Sequence, residues 1–255
     1  MISDQPWADN LSLFTLLKDR PTYINNMKDF SELENVLEIK FNNQKLLWQA
    51  FVHRSYLNEH PSFELDQNER LEFLGDAVLE LVVTQYLYLN YENPEGELTN
   101  WRASLVNAKI LAETARELKM ENYLFLSRGE SKDNNIKARN YILANTFEAL
   151  IGAIYLDQGF DSAKEFITKK LIVKLPAILK NKLYIDSKSR FQEEAQERVG
   201  VTPTYHVIEE AGPDHNKHFK IGVYLGEELV AYGEGTSKQE AQMHAAEEAL
   251  RVKDW

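Results

Sequence analysis

The sequence of 255 residues contains no cysteine. This absence excludes disulfide bonds, thiolate metal sites and cysteine nucleophiles, and it favours a cytoplasmic location. Long hydrophobic runs are also missing: no stretch of roughly 18 or more uncharged apolar residues occurs, so we expect no transmembrane helix and no membrane partner. The amino-terminal stretch carries acidic residues and no basic region ahead of an apolar core, so we expect no secretory signal.

Positive charge is scarce as well. The chain has 29 lysines and arginines against 40 aspartates and glutamates, which gives a net charge of −11. Such a balance disfavours unspecific binding to polyanions, because the whole molecule repels them. Any binding of nucleic acid must therefore depend on the local placement of particular side chains.

The pattern of apolar and turn-forming residues changes along the chain. Residues 1–30 are interpreted as an amino-terminal extension, and helical periodicity then runs almost without interruption from 31 to 180. The longest polar gap in that part, residues 127–135, is expected to be a surface loop. Residues 181–189 are interpreted as a linker, and residues 190–253 read as one helix, three strands and a second helix. We therefore expect an all-α domain followed by a small α+β domain of the order α-β-β-β-α.

Three acids are placed together in the otherwise apolar stretch "NERLEFLGDAVLELVV" at residues 68–83. Glu69, Glu72 and Asp76 are separated by three and four residues, so they share one face of a helix. Clustered acids destabilise a helix unless cations neutralise them. The cation could be a basic side chain such as Arg70 on a solvated face, or it could be a metal ion.

A second polar pair occurs in "ILANTFEALIGAIYLD", where Asn145 and Glu148 are three residues apart. If this helix crosses the first one, an amide and carboxylates of Glu72, Asp76 and Glu148 could converge on one oxygen-lined site. Mg²⁺ prefers oxygen ligands of this kind. Spacing alone does not decide between a metal site and two solvated acidic faces.

The motifs together resemble the ribonuclease III family of double-strand-specific RNA endonucleases. The resemblance covers roughly residues 31–253 and rests first on the sixteen-residue stretch at 68–83. Four further stretches occur in the family's order: "HRSY" (53–56), "PEGELTNWRASLVN" (94–107), "ILANTFEALIGAIYLDQG" (142–159) and "GPDHNKHF" (212–219). It implies a homodimeric endoribonuclease that cuts double-stranded RNA by metal-activated water and leaves 5′-phosphate and 3′-hydroxyl ends. It also implies Mg²⁺ as cofactor, with Mn²⁺ as a substitute and no small-molecule cofactor, and a task in processing ribosomal or messenger RNA precursors.

Carried over residue by residue, the resemblance assigns metal binding to Glu72, Asp76 and Glu148, which are also the expected catalytic residues. Glu69 matches an acid that positions substrate and supports dimer contacts in the family, with a smaller share in catalysis. The fourth metal position is normally aspartate, and here it is Asn145. An amide oxygen can bind Mg²⁺ but brings no charge, so we expect weaker metal binding. The alternative is a catalytically weak or inactive regulator that binds double-stranded RNA.

Phe73 has two interpretations. By its position in an apolar helix it is a core residue. In the family, the matching aromatic residue inserts into a second subunit, so the resemblance implies that Phe73 belongs to a homodimer interface.

The carboxy-terminal part resembles the family's double-stranded-RNA-binding domain. Duplex RNA is recognised through shape, 2′-hydroxyls and phosphates. Three parts of the domain offer candidate contacts: the first helix with Gln192, Glu193 and Gln196, a loop with His215, and the start of the last helix with Ser237 and Lys238. Gln239 stands where the family continues its basic pair, and residues 187–255 contain 8 basic and 13 acidic residues, a net charge of −5. We expect modest, salt-sensitive RNA affinity, with a dimerisation or protein-contact module as the alternative.

Three histidines could suggest other chemistry. His215 and His218 are three residues apart, but no cysteine or third ligand accompanies them, so zinc is not expected. His53 in "HRSY" is interpreted as a structural hydrogen-bonding residue rather than a general base.

Overall fold

The computed structural model describes residues 28–213 and 217–255. The first domain is helical, with α1 (Ser31–Leu37), α2 (Gln44–Ala50), α3 (Arg54–Glu59), α4 (Glu69–Asn90), α5 (Glu95–Leu105), α6 (Ala108–Glu117), α7 (Arg128–Lys132), α8 (Ile136–Lys170) and α9 (Leu175–Lys180), and with 3₁₀ turns at Met120–Tyr123 and Ile172–Lys174. The second domain consists of α10 (Ser187–Val199), β1 (Thr204–Ala211), β2 (His218–Leu225), β3 (Glu228–Gly235) and α11 (Lys238–Lys253). The expected fold class, an all-α domain followed by an α-β-β-β-α domain, is confirmed.

Helix α8 is the central element of the helical domain. Leu143, Phe147, Leu150 and Ile154 follow one another at steps of three and four residues and are completely buried, so they form the apolar stripe of an amphipathic helix. The helix bends at Gly159, whose φ of 84° and ψ of −178° are not helical. Glycine reaches this backbone conformation without steric cost.

Two glycines bring α4 and α8 into backbone contact. A Cβ atom added to Gly75 would lie 1.7 Å from the carbonyl oxygen of Glu148, and one added to Gly152 would lie 2.3 Å from the carbonyl oxygen of Leu71. Helices that cross through ordinary side chains keep their axes about 8–10 Å apart. Without side chains at the crossing, the two backbones can approach closer than side-chain packing allows.

The segment 127–135 is not the loop that the sequence predicted. It contains α7, because the side chain of Ser127 accepts a hydrogen bond from the backbone N–H of Glu130 at 3.2 Å and so caps a helix at Arg128. A polar, Gly-containing sequence forms this short helix because the cap satisfies one of its free amides.

The expected linker at 181–189 is also shorter than predicted. Helix α10 already begins at Ser187, because the Asp186 carboxylate accepts hydrogen bonds from the N–H groups of Lys188 and Ser189 at 3.1 and 3.0 Å. The other end of the helix is where the sequence placed it, at Gly200, which has a φ of 69°.

The small domain is a three-stranded antiparallel sheet of order β1-β2-β3 with both helices packed on one face. Val223 of the central strand lies opposite Tyr205 of β1 and Ala231 of β3. Val223 is completely buried against Phe191 of α10 and against alanines of α11. Small residues on α11 therefore let that helix lie close to the sheet.

Two expectations fall outside the described residues: the extension over residues 1–30, except for 28–30, and the loop residue His215. Within the described ranges, no helix combines the length and the apolar character needed to cross a membrane.

Candidate active site and RNA-binding surface

The α4–α8 crossing places the predicted metal-site residues next to one another. On α4, Gly75 is three residues after Glu72 and directly before Asp76. Glu148 of α8 presents its carbonyl oxygen to that glycine. The amide of Asn145 acts on the Glu72 carboxylate, on whose pKa it has a lowering effect. The charges of Asp76 and Glu72 in turn act on Glu148. The crossing thus brings together all four residues of the predicted site.

We call Glu72, Asp76, Asn145 and Glu148 the acidic cluster. Its surroundings disfavour the charged forms of Glu72 and Glu148. Burial, followed by the charges of Asp76, Glu72 and Glu80, raises the pKa of Glu148 to about 8. Burial and the charge of Glu69 also raise the pKa of Glu72, while the neighbouring Asn145 amide opposes that rise. Glu148 therefore holds a proton at neutral pH unless another cation takes its place.

Among residues 28–213 and 217–255, no basic side chain neutralises the cluster. Arg70, the candidate partner, makes no ion pair with any described residue. Arg102 lies 2.8 Å from Glu80 and forms an ion pair with no other acid among the described residues. The interpretation of the cluster as a solvated face with a basic partner is therefore not supported.

The cluster differs from a closed metal centre. Within residues 28–213 and 217–255, no group of three or more histidine, aspartate and glutamate side chains is placed to hold a metal ion. Like-charged carboxylates repel one another, and one of the four donors here is a neutral amide. The donor set still fits Mg²⁺ or Mn²⁺, because it offers hard oxygen ligands and charge that no basic side chain of the described residues compensates.

Glu69 lies at the edge of the cluster, at the first residue of α4. Its carboxylate accepts a hydrogen bond from the Gln67 amide at 2.9 Å and lies 3.8 Å from Arg54. The side chain is about half exposed. Glu69 is therefore better placed to meet a ligand from solvent than to share a buried cation.

His53 has the structural role that the sequence indicated. Its Nδ1 atom accepts a hydrogen bond from the Ser55 N–H at 3.3 Å and caps α3. The Ser55 hydroxyl oxygen accepts from the N–H of Ser127 at 3.1 Å and so ties α3 to the start of α7. Burial lowers the pKa of His53, which favours the neutral ring that this cap requires.

Phe73 is not a core residue: 83 % of its surface is exposed. Leu81 and Tyr88 lie on the same side of α4, at helical spacing from Phe73, and are 56 % and 77 % exposed. Helix α4 therefore presents an apolar stripe to solvent beside the acidic cluster. We call Phe73, Leu81 and Tyr88 the α4 stripe.

The predicted RNA contacts of α10 are accessible. Gln192, Glu193 and Gln196 are exposed and line one shallow surface depression. Ser237 caps α11 by accepting a hydrogen bond from the N–H of Glu240 at 3.1 Å. The first turn of α11, where Lys238 begins the helix, thus has an ordered amide terminus suited to an anion.

The basic side chains of the small domain are already engaged. Every lysine and arginine among its described residues lies near a carboxylate, an amide or a carbonyl oxygen; the pairs are Lys188–Gln242, Arg190–Trp255, Arg198–Glu194, Lys217–Glu210, Lys220–Glu234, Lys238–Glu210, Arg251–Glu248 and Lys253–Glu228. A phosphate that binds one of these cations competes with the existing partner. This competition is a physical reason to expect modest affinity.

Sequence reasoning missed two features of the site. Gly75 and Gly152 were not singled out, although each lies one helical turn after a predicted ligand, Glu72 or Glu148. The second is the effect of the Asn145 amide on the Glu72 carboxylate. The spacing of the glycines was a readable signal, whereas the closeness of Asn145 and Glu72 depends on the helix crossing and was not.

The chain is similar to known proteins over most of its length. Residues 43–175 match the family model described as Ribonuclease-III-like, and residues 187–253 match the Double-stranded RNA binding motif. Ribonuclease 3 of Enterococcus faecalis is 44% identical over 222 residues, which cover 87% of this chain and 96% of the relative. Ribonuclease 3 of Bacillus velezensis is 40% identical over 241 residues, or 94% of this chain and 96% of the relative.

A solved structure is similar to the helical part. The nuclease domain of ribonuclease III from Campylobacter jejuni, described for flexibility in a region involved in its dimer formation, is 36% identical with a TM-score of 0.51. The match covers 58% of this chain and 99% of that domain.

Proposed function

Because this chain belongs to the ribonuclease III family, we propose that it is an endoribonuclease that hydrolyses the phosphodiester bonds of double-stranded RNA. The single observation that carries the proposal is the acidic cluster, which has no basic partner in the part of the chain that the structure describes and lies on the helix pair that the family model covers. The small domain, which matches the double-stranded RNA binding motif, would bring the duplex to that cluster. The products would be 5′-phosphate and 3′-hydroxyl ends.

We propose that Glu72, Asp76, Glu148 and Asn145 hold Mg²⁺, which Mn²⁺ can replace. When bound, the ion would supply an acidified water and a polarised phosphoryl oxygen. Glu148 must give up the proton on its carboxylate when it binds the cation, because its pKa of about 8 keeps it protonated near neutral pH. The Asn145 amide lies close enough to Glu72 to favour the charged form of its carboxylate, which is the form that binds a cation.

Glu69 would act from the edge of the cluster. Its half-exposed carboxylate beside Arg54 lies where a bound duplex would approach from solvent. We therefore propose that Glu69 positions substrate, and that it contributes less to the chemical step than Glu72, Asp76 and Glu148 do.

A homodimer is the proposed assembly. The α4 stripe is apolar and exposed beside the acidic cluster, and aromatic residues on such surfaces are typical interface anchors. The relative from Campylobacter jejuni, whose nuclease domain is described with a dimer-forming region, supports this proposal. Two clusters in one dimer would each cut one strand of the duplex and leave a short 3′ overhang.

The proposed RNA contacts of the small domain remain those predicted from the sequence. Gln192, Glu193 and Gln196 would meet 2′-hydroxyls in a minor groove, because their side chains offer acceptors on one exposed face. Ser237 and Lys238 would meet phosphate at the start of α11. His215, outside the described residues, is kept as the proposed contact of the loop. Cytoplasmic processing of ribosomal and messenger RNA precursors is the proposed task.

The test is cleavage of a long perfect RNA duplex over a Mg²⁺ titration. The parent protein should cut, and Glu148→Gln should not. Glu165→Gln is the matched control, because it makes the same change on α8 at an exposed acid paired with Lys169. Asn145→Asp should lower the Mg²⁺ concentration for half-maximal cleavage roughly tenfold, since it adds an anion next to the cation.

The opposite pattern would support the alternative function. If the parent protein binds duplex but does not cut at any Mg²⁺ concentration, while Asn145→Asp cuts, the protein is an RNA-binding regulator that lacks one catalytic charge. The curated relatives named above do not favour this alternative, since each is a ribonuclease 3.

A further inference from the structure

Gly75 and Gly152 occupy the α4–α8 crossing at the level of the acidic cluster. Gly75 is three residues after Glu72 and directly before Asp76, and Gly152 is one turn after Glu148. The two glycines are also close to each other: a Cβ on Gly75 would lie 2.8 Å from the backbone nitrogen of Gly152. The backbone contact between the helices is therefore located at the cluster itself.

We propose that the Gly75–Gly152 contact sets the spacing of the carboxylates across the α4–α8 crossing, so that both glycines are positioning residues for the metal ion. This inference rests on the proposed function, because it concerns the same metal site. Glu72 and Asp76 come from one helix and Glu148 from the other. Their separation therefore depends directly on how closely the two backbones approach.

The displacement that a methyl group would impose can be read from the structure. Real Cβ atoms do not approach other heavy atoms below 3.0 Å, and the Gly75 Cβ would lie 1.7 Å from the Glu148 carbonyl oxygen, so at least 1.3 Å must be gained. For Gly152 the distance to the Leu71 carbonyl oxygen is 2.3 Å, so at least 0.7 Å is needed. Both partners are backbone atoms, which cannot rotate away, so the helices themselves must separate.

Metal sites tolerate little displacement. Ligand distances stay within about 0.2 Å of their preferred values, and both required shifts exceed that range. The inference therefore predicts an order: Gly75→Ala should impair metal binding more than Gly152→Ala, and both should impair it more than a crowded glycine elsewhere. A role in folding alone predicts lower stability for each variant without this order in metal affinity.

Gly233 provides the matched control. It lies in β3 of the small domain, and a Cβ there would be 2.2 Å from the backbone nitrogen of Ala245. Gly233→Ala thus introduces the same kind of backbone clash, with about the severity of Gly152→Ala, in a part of the protein without the acidic cluster. It should lower stability and leave metal affinity unchanged.

The experiment measures Mn²⁺ binding to the full chain without RNA, by electron paramagnetic resonance of the free ion, at a temperature where circular dichroism shows each variant folded. We expect Gly152→Ala to bind Mn²⁺ several-fold more weakly than the parent protein, Gly75→Ala at least about tenfold more weakly, and Gly233→Ala like the parent. The same three variants are then compared for the Mg²⁺ concentration at half-maximal cleavage.

Each result decides the question. Parent-like Mn²⁺ affinity in a folded Gly75→Ala or Gly152→Ala protein would overturn the inference. If Gly75→Ala does not fold, Gly152→Ala, with the smaller displacement, decides it. Failure of both to fold, with Gly233→Ala folded, would assign the glycines to folding alone and also overturn it. Absence of Mn²⁺ binding in the parent would instead refute the proposed metal site, on which the inference rests.

Discussion

Replacing Glu148 by glutamine should stabilise the protein against unfolding when divalent cations are absent, and the gain should increase with pH. The pKa of Glu148 is raised from 4.5 to about 8 by burial and by the neighbouring acids. The folded state therefore keeps a proton that the unfolded state releases between these two values. Because the folded state binds more protons there, stability falls as pH rises from about 4.5 through 8 and levels off above.

The size of this change in stability follows from the shift in the pKa of Glu148. One pKa unit corresponds to about 1.4 kcal/mol, so a group with unfolded and folded pKa values of 4.5 and about 8 costs on the order of 3 kcal/mol at pH 7. Glutamine has nearly the same shape and no charge at any pH, so it removes this cost. The difference between variant and parent should stay below about 1 kcal/mol at pH 5 and reach its largest value above pH 8.

The assay is urea unfolding followed by circular dichroism, in EDTA, at pH 5, 7 and 8.5. Glu165→Gln is the control, because this exposed carboxylate on α8 is paired with Lys169 at 2.7 Å and is not among the charges that raise the pKa of Glu148, so its removal should not stabilise. Saturating Mg²⁺ should reverse the order, since only the parent protein gains binding energy from a fully charged site. A pH-independent difference, or a Glu148→Gln protein less stable than the parent in EDTA, would refute the reasoning.

Three further outcomes are expected. Phe73→Ser should weaken the proposed dimer about 30-fold in analytical ultracentrifugation, as for an anchor worth about 2 kcal/mol. Leu89→Ser, at an exposed position on another side of α4, should not, and equal effects would remove the α4 stripe from the proposed interface. Lys238→Ala should weaken duplex binding and reduce the salt slope of the affinity by about one, and an unchanged slope would mean that Lys238 meets no phosphate. Ser237→Ala should cost the small domain about 1 kcal/mol in thermal unfolding, because the cap of α11 is lost; an unchanged midpoint would contradict that role of the hydroxyl.

The local structure was largely readable from the sequence. The period of the apolar residues predicted the helical domain, and the turn residues at Gly200, Gly212 and Gly226 separated the elements of the small domain. Ser237 could be recognised as a cap because the residues around it already specify a helix start. The loop at 127–135 was wrongly predicted, since whether Ser127 caps a helix there is decided by one weak hydrogen bond and by the docking of Ser55.

The properties of the acidic cluster were less accessible. The sequence supplied Glu72, Asp76 and Glu148, but helical spacing allowed a solvated face as readily as a site. Only the packing of α4 on α8 excludes a basic partner within the described residues and buries Glu148 enough to raise its pKa to about 8. In the same way, a phenylalanine in an apolar helix reads as core, and the fold alone shows Phe73 on the surface.

By itself, then, the sequence determined what short-range physics controls: the helices, the strands, the caps and the identity of the candidate ligands. The tertiary structure decided which charges face each other, because Coulomb interactions and desolvation depend on distances across the chain rather than along it. Two glycines 77 residues apart illustrate the division. Each is merely a weak helix former in the sequence, and together they bring two backbones close enough for the carboxylates of different helices to act as one site.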